Sequence, residues 1–140
     1  MIRAFKNEDL NSLLEIENEC FFHPWKKEMF ESEINNGSEL YVLEVDNKII
    51  GYIDLHFIQE NLELNNIAIQ KDLWNQGYGQ KLLDYMFELA SKHNTEKIFL
   101  EVNSNNKAYY LYKKNGFKEN RIRKNYYPDG DAIEMVKEND

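Results

Sequence analysis

Residues 62–90 read LELNNIAIQKDLWNQGYGQKLLDYMFELA. Leu62, Leu64, Asn66, Ala68 and Gln70 alternate with Glu63, Asn65, Ile67 and Ile69. That two-residue spacing predicts a strand over 62–69. Gln76-Gly77-Tyr78-Gly79 then makes a glycine turn. After it, Gly79, Leu82, Leu83, Met86, Phe87 and Ala90 recur at three and four, which predicts one buried face of a helix over 79–92. Asp84 and Glu88 fall off that stripe. A tight turn opening a helix leaves several backbone N–H groups unpaired at the positive end of the helix dipole, an arrangement that suits a phosphate or pyrophosphate. Two glycines alone fit an ordinary loop and helix start equally well. No Gly-Lys-Ser/Thr follows, which excludes a P-loop, and the third glycine of a dinucleotide-binding turn is missing.

Working outward, Met1–Phe5 reads as a first strand. Asn7 can cap a helix whose first turn holds Glu8 and Asp9 and whose buried face holds Leu10, Leu13, Leu14 and Phe21. His23-Pro24-Trp25 breaks it. A second helix with Met29, Phe30 and Ile34 inward ends near Asn36-Gly37. Residues 40–45 and 48–58 form a hairpin around Asp46-Asn47, with Gly51 marking a bulge or a close approach. Beyond the central unit come a buried strand over 97–102 and a short helix over 105–115 stopped by Gly116. An antiparallel pair, 117–126 and 132–136, turns at Pro128-Asp129-Gly130. The order is β-α-α-β-β-β-α-β-α-β-β. This is an α/β chain of mixed α+β character: a central, mostly antiparallel sheet with one parallel crossover from the fourth strand through a helix to the fifth, and helices on both faces. Residues 1–140 form one domain. The crossover turn lies at the carboxyl ends of the strands, a plausible ligand crevice.

The composition, 42% hydrophobic and 14% aromatic, fits a packed core. The N-terminus turns polar too soon for a signal peptide, and no apolar run approaches the roughly 20 residues that span a bilayer. One cysteine, Cys20, fits a reducing cytoplasm. Net charge is −8, distributed unevenly: residues 8–63 hold fourteen acidic and three basic residues, residues 64–140 eleven and twelve. That balance argues against nucleic acid as a direct partner and allows attraction of a cationic substrate, and with no long apolar run no membrane partner is expected. His23, His56 and His93 are too scattered for a metal site, so no metal is expected.

Asn66-Ile67-Ala68-Ile69 followed by Gln76-Gly77-Tyr78-Gly79-Gln80-Lys81-Leu82-Leu83 resembles the central motif of the GCN5-related N-acetyltransferases (GNAT). Along nearly its whole length the chain is similar to the RimI-type ribosomal-protein alanine N-acetyltransferases. Four stretches carry that narrower likeness: His23-Pro24-Trp25, Leu100-Glu101-Val102, residues 111–117 (LYKKNGF) and residues 123–130 (RKNYYPDG). The resemblance implies the GNAT fold, acetyl-CoA as donor and a protein N-terminus, such as the alanine of a small-subunit ribosomal protein, as acceptor. It implies the CoA pyrophosphate on the amides of Asn75, Gln76, Gly77, Tyr78, Gly79 and Gln80, and pantetheine added like a strand along Ile67, Ala68 and Ile69. It implies Asn105 as a CoA contact, Glu101 as general base and Tyr112 as the acid beside the thiol. Two departures stand out. Trp74 occupies the start of the turn, where Gln or Arg is common, and the segment from Glu101 to Tyr112 is one residue shorter than usual. Phosphate contacts of this kind are mainly to backbone, so CoA binding is expected to survive the first.

Acetyl transfer from a thioester needs a neutral amine, an oxyanion donor and a protonated leaving thiol. An α-amine with a pKa near 8 is neutral at pH 7 roughly two to three powers of ten more often than lysine. Glu101 would take its proton and Tyr112 would supply one to the thiol. A backbone N–H near Ile69, freed by a bulge, would hold the carbonyl oxygen. Trp25 on one side and Tyr126 and Tyr127 on the other would wall the peptide groove. Lys107, Lys113, Lys114 and Lys118 form either CoA phosphate contacts or a solvated face. Glu17 and Glu19 should raise the Cys20 pKa and so disfavour an acyl-cysteine route. The expected enzyme is a cytoplasmic monomer or weak dimer acting in a ternary complex. A lysine or small-amine acetyltransferase and a non-catalytic acyl-CoA-binding module are the alternatives.

Overall fold

The computed structural model describes residues 1–139. Strand β1 (Ile2–Ala4) leads through a 3-10 turn at Asn7–Asp9 into helix α1 (Leu10–Cys20) and helix α2 (Lys27–Asn35). Strands β2 (Glu39–Val45), β3 (Lys48–Ile58) and β4 (Asn61–Ile69) follow as a meander. Helix α3 (Tyr78–Lys92), strand β5 (Lys97–Asn103), helix α4 (Ala108–Lys114) and strands β6 (Lys118–Tyr127) and β7 (Gly130–Glu138) complete the chain. The sheet order is β1-β2-β3-β4-β5-β7-β6, with β4 and β5 parallel and the other pairs antiparallel.

The two faces of the sheet carry separate cores. Leu82, Leu83, Met86 and Ala90 of α3 bury against Ile53, Leu55, Leu62, Leu64, Ile98 and Leu100. Leu13 and Ile16 of α1 and Phe30 of α2 bury against Leu40, Val42, Tyr52 and Ala68. The hairpin turn has both Asp46 and Asn47 at positive φ, as a two-residue turn between twisted strands requires. At Gly51 a Cβ would lie 2.6 Å from Ile69 Cδ1 and 2.9 Å from the Ala68 carbonyl, so this glycine permits a close approach. A register shift between Leu43 and Glu44 adjoins it.

Met29 and Ile34, expected to face inward with Phe30, are exposed on the solvent side of α2, and three further expectations are corrected. Asn7 does not cap: Asp9 instead accepts the Lys6 amide at 2.8 Å and binds Arg3 through both oxygens at 2.9 and 3.0 Å. Arg3 also reaches Glu44 at 3.0 Å, tying β1 to β2 and to the first helical turn. The short helix starts at Ala108 rather than Asn105, because the Asn106 side chain takes the Ala108 amide at 2.9 Å. The third correction is the largest. The alternation along β4 is not continuous: Asp54 pairs with Asn66 but Leu55 pairs with Leu64, leaving Asn65 as the extra residue of a bulge. Leu62 and Leu64 therefore face α3, whereas Ala68, of the same parity, faces α1. A one-residue insertion moves every later side chain to the other face.

Candidate active site

The bulge coincides with a parting of strands. β4 and β5 pair from Asn61–Lys97 to Leu64–Leu100 and no further. From Asn65 onward β4 has no neighbour on that side, and Asn65, Asn66 and Ile67 are only half-buried although they sit in mid-sheet. The Gln70 amide donates to Ile50 at 2.7 Å. By the alternation of an antiparallel ladder, Ala68 and Asn66 then exchange their bonds with β3, while the backbone groups of Ile67 and Ile69 turn into the gap. Ala68, expected to act with its neighbours, is thus committed to Tyr52. The Ile67 amide is taken by Asn66 Oδ1 at 3.0 Å, and the Ile69 carbonyl accepts both Trp74 Nε1 at 2.7 Å and Cys20 Sγ at 3.1 Å. The Ile69 amide is left as a donor facing the gap, the position expected for an oxyanion contact.

At the carboxyl end of β4 the chain makes a 3-10 turn, Lys71–Leu73, and reverses through Asn75 (φ 65°) and Gly77 (φ 87°) into α3. The helix opens one residue earlier than expected, at Tyr78. Its first ladder bond runs from the Lys81 amide to the Gly77 carbonyl at 3.1 Å, so the amides of Tyr78, Gly79 and Gln80 have no acceptor within the helix. The positive helix end and these donors face the mouth of the gap, a cradle for an anion. Gln80 and Asn115 exchange two amide bonds, 2.8 and 2.9 Å, and Leu111 packs 3.4 Å from where a Gly79 Cβ would lie. These contacts fix α4 against the start of α3.

Tyr112 of α4 is 5% exposed, packed edge-on to Phe117, and its hydroxyl has no partner among the described residues. Burial raises its pKa, so it keeps its proton throughout the working range of an enzyme. Glu101 lies on the other face. Ile98, Leu100 and Val102 point toward α3, and Glu101, out of phase with them, points toward the α1 side. The gap between β4 and β5 joins the two faces at this level.

The Glu101 side chain is 33% exposed. It sits 3.5 Å from the Tyr127 hydroxyl and 3.9 Å from Arg123 Nε, near enough to be oriented and too far to be tied. Tyr126 stacks edge-on to Tyr127 and lies under the Arg123 guanidinium at 5.4 Å. Burial, then Glu101, raises the Tyr127 pKa. Structure therefore brings Glu101, Tyr126 and Tyr127 together and adds Arg123, which the sequence reading left out.

Trp25 is anchored from below. Its amide donates to Glu17 Oε2 at 2.8 Å and its ring packs edge-on to Phe30 at 5.3 Å. Glu17 is 1% exposed and also accepts from the Tyr52 hydroxyl and from Asn66 Nδ2 at 2.8 Å. The Asn105 side-chain amide donates to the Asp129 carbonyl, clamping the loop before α4 to the β6–β7 turn. Asn103 Nδ2 reaches Asp129 Oδ1 at 2.8 Å in the same clamp. Cys20 is half-buried, and burial first, then Glu19 and Glu17, pushes its thiol up to about 11. Its thiolate is scarce at neutral pH, which disfavours it as an acyl carrier. Among the described residues no cluster of three or more His, Cys, Asp or Glu is arranged to hold a metal ion, and no helix is long and apolar enough to cross a membrane.

The acetyltransferase (GNAT) family model matches residues 10–117. The [ribosomal protein bS18]-alanine N-acetyltransferase of Haemophilus influenzae is 36% identical over 123 residues, 86% of this chain and 82% of that protein. The crystal structure of the ribosomal-protein-S18-alanine N-acetyltransferase from Escherichia coli superposes with a TM-score of 0.93 at 29% identity, over 99% of this chain and 92% of that one. A GNAT family acetyltransferase from Elizabethkingia anophelis with acetyl-CoA bound superposes at 0.80 with 26% identity, over 99% and 97%.

Proposed function

The chain belongs to the acetyltransferase (GNAT) family and is an acetyl-CoA-dependent N-acetyltransferase, and from that premise we propose that its acceptor is the N-terminal alanine of a ribosomal protein, acetylated in the cytoplasm by direct attack in a ternary complex. The observation that carries this reading is the β4–β5 gap, with a phosphate cradle at its mouth, Tyr112 on one face and Glu101 on the other. Relatives that share the fold at these identities are named for alanine acetylation of ribosomal protein bS18.

Acetyl-CoA supplies an activated acyl carbon and a thiolate leaving group. The amides of residues 76–80 hold its pyrophosphate, and the exposed edge of Ile67 and Ile69 pairs with the pantetheine arm. The Ile69 N–H holds the carbonyl oxygen as charge grows on it. Glu101 accepts a proton from the attacking amine, directly or through water. Tyr112 donates to the departing sulfur. Trp25, Tyr126 and Tyr127 flank the approach of the amine.

Peptides beginning with alanine should be acetylated once, on the α-amine. The same peptides blocked at that amine but retaining lysine, and free polyamines, should react at least about a hundredfold more slowly, as their amine pKa near 10.4 dictates. Equal rates on blocked peptides or polyamines would assign the enzyme to another acceptor class.

Gly77→Ala tests the cradle. A Cβ there meets nothing within 4 Å, so the cost is the left-handed backbone at φ 87°, about 1–2 kcal/mol. Rearrangement of the loop to relieve that strain should raise KM for acetyl-CoA about 5–30-fold with kcat little changed. An unchanged KM in a folded variant would place the pyrophosphate elsewhere.

A further inference from the structure

Asp54 is a buried carboxyl the chemistry above does not use. It lies on β3 between Ile53 and Leu55, is fully buried, and neither oxygen has a donor among the described residues. Glu33 of α2 stands against it, and Glu33 Oε1 accepts Asn65 Nδ2 at 2.9 Å and, more loosely, Ser38 Oγ at 3.4 Å. Two ionised carboxylates at such a contact, with no cation between them, would repel strongly in a low-dielectric site. One proton held on Asp54 and donated to Glu33 removes the repulsion and gives one of the two Asp54 oxygens a partner.

Asn65, at the far end of this chain of contacts, is the bulge residue and the first beyond the last β4–β5 pair. We infer that Asp54 keeps its proton and donates it to Glu33, and that the two act together as positioning residues: the pair grips Asn65 and so fixes the point at which β4 parts from β5. Neither residue touches the reacting atoms. They act through the bulge, which sets where the Ile69 donor and the Glu101 face stand relative to each other.

The surroundings make Asp54 the group that titrates. Burial first, then the hydrogen bond to Glu33 and its charge, pushes its pKa up to about 9. From β2, Leu40 opposes it, and from β4, Asn66. Along β3, Tyr52 and His56 are two residues away, and the Tyr52 pKa is raised well above its usual value by burial and Glu17. Glu17 of α1 is engaged by Trp25, Tyr52 and Asn66. Glu39 of β2 bonds Tyr41 on the opposite face. Among the described residues no Lys, Arg or His forms an ion pair with Asp54 or Glu33. The folded chain thus holds a proton that the unfolded chain releases above 3.8, the ordinary aspartate pKa. Stability falls as pH rises from about 4 to about 9, the sign expected for a raised carboxyl.

The direct test is an NMR titration of the Asn65 side-chain amide from pH 6 to 10 without substrate. The wild-type resonance should move with a midpoint near 9. In Asp54→Asn, an isostere that donates to Glu33 without a removable proton, it should stay at its low-pH position. Glu33→Gln supplies a donor to ionised Asp54 and should lower the midpoint by about one unit or more. A wild-type resonance that does not move between pH 7.5 and 10, or that moves identically in Asp54→Asn, overturns the pair.

The kinetic arm rests on the proposed acceptor. With an alanine peptide, wild-type kcat should fall about tenfold between pH 8 and 10 as the proton is lost, and Asp54→Asn should hold its plateau. The same fall in both overturns the positioning role. Titration of Asn65 without acetylation of any α-amine would instead overturn the proposed acceptor and leave the pair standing.

Discussion

Glu101→Gln should lower kcat on an alanine N-terminus by about 10²–10⁴-fold, the range for loss of a positioned general base. The change keeps shape and removes only the ability to take a proton. Glu101 is placed for the task by three features: the alternation of β5 sends it to the α1 face, the β4–β5 gap opens beside it, and Arg123 and Tyr127 orient it without neutralising it. The loss should appear in kcat and kcat/KM alike, with KM for acetyl-CoA unchanged, because the cradle lies at the mouth of the gap. Raising the pH toward 8 should restore part of the rate, since an amine already neutral needs no base. A loss of less than about tenfold would remove the assignment.

Tyr112→Phe should lower kcat by about 10²-fold or more while leaving the fold intact. The hydroxyl has no partner among the described residues, so its removal strands no buried group and the ring keeps its packing on Phe117. Stability should change by less than about 1 kcal/mol, the scale of a single hydrogen bond. That separation of activity from stability distinguishes a proton donor from a packing tyrosine. Thermal unfolding measured beside kcat reads it: a parallel drop in both would make Tyr112 part of the core and nothing more.

The elements that position this chemistry were largely legible in local signals. Asp46-Asn47 announced the hairpin, the glycine turn announced the start of α3, and Gly116 announced the end of α4. The bulge was partly visible. Ile67 and Ile69 fell in the same phase as Glu63 and Asn65, an apolar pair among polar residues that a one-residue shift at Asn65 resolves. What stayed hidden depends on contacts distant in sequence. Glu33 and Asp54 sit on elements with no local reason to meet, although a carboxylate between Ile53 and Leu55 in a buried strand was a signal in itself. The bond from Asn105 to Asp129 was hidden too, because only the β6–β7 turn brings that partner near. The exposure of Glu101 follows from the strand order: β5 is flanked by β4 and β7, and α1 and α2 pack on β2, β3 and β4 rather than over it.

One measurement bears most directly on the placement of donor and proton-transfer groups: a crystal structure with coenzyme A bound. The diphosphate should rest on the amides of residues 76–80, and the sulfur should lie in the β4–β5 gap within hydrogen-bond reach of the Tyr112 hydroxyl, opening toward the face that holds Glu101. A diphosphate bound away from that turn, or a sulfur outside the gap, would contradict it.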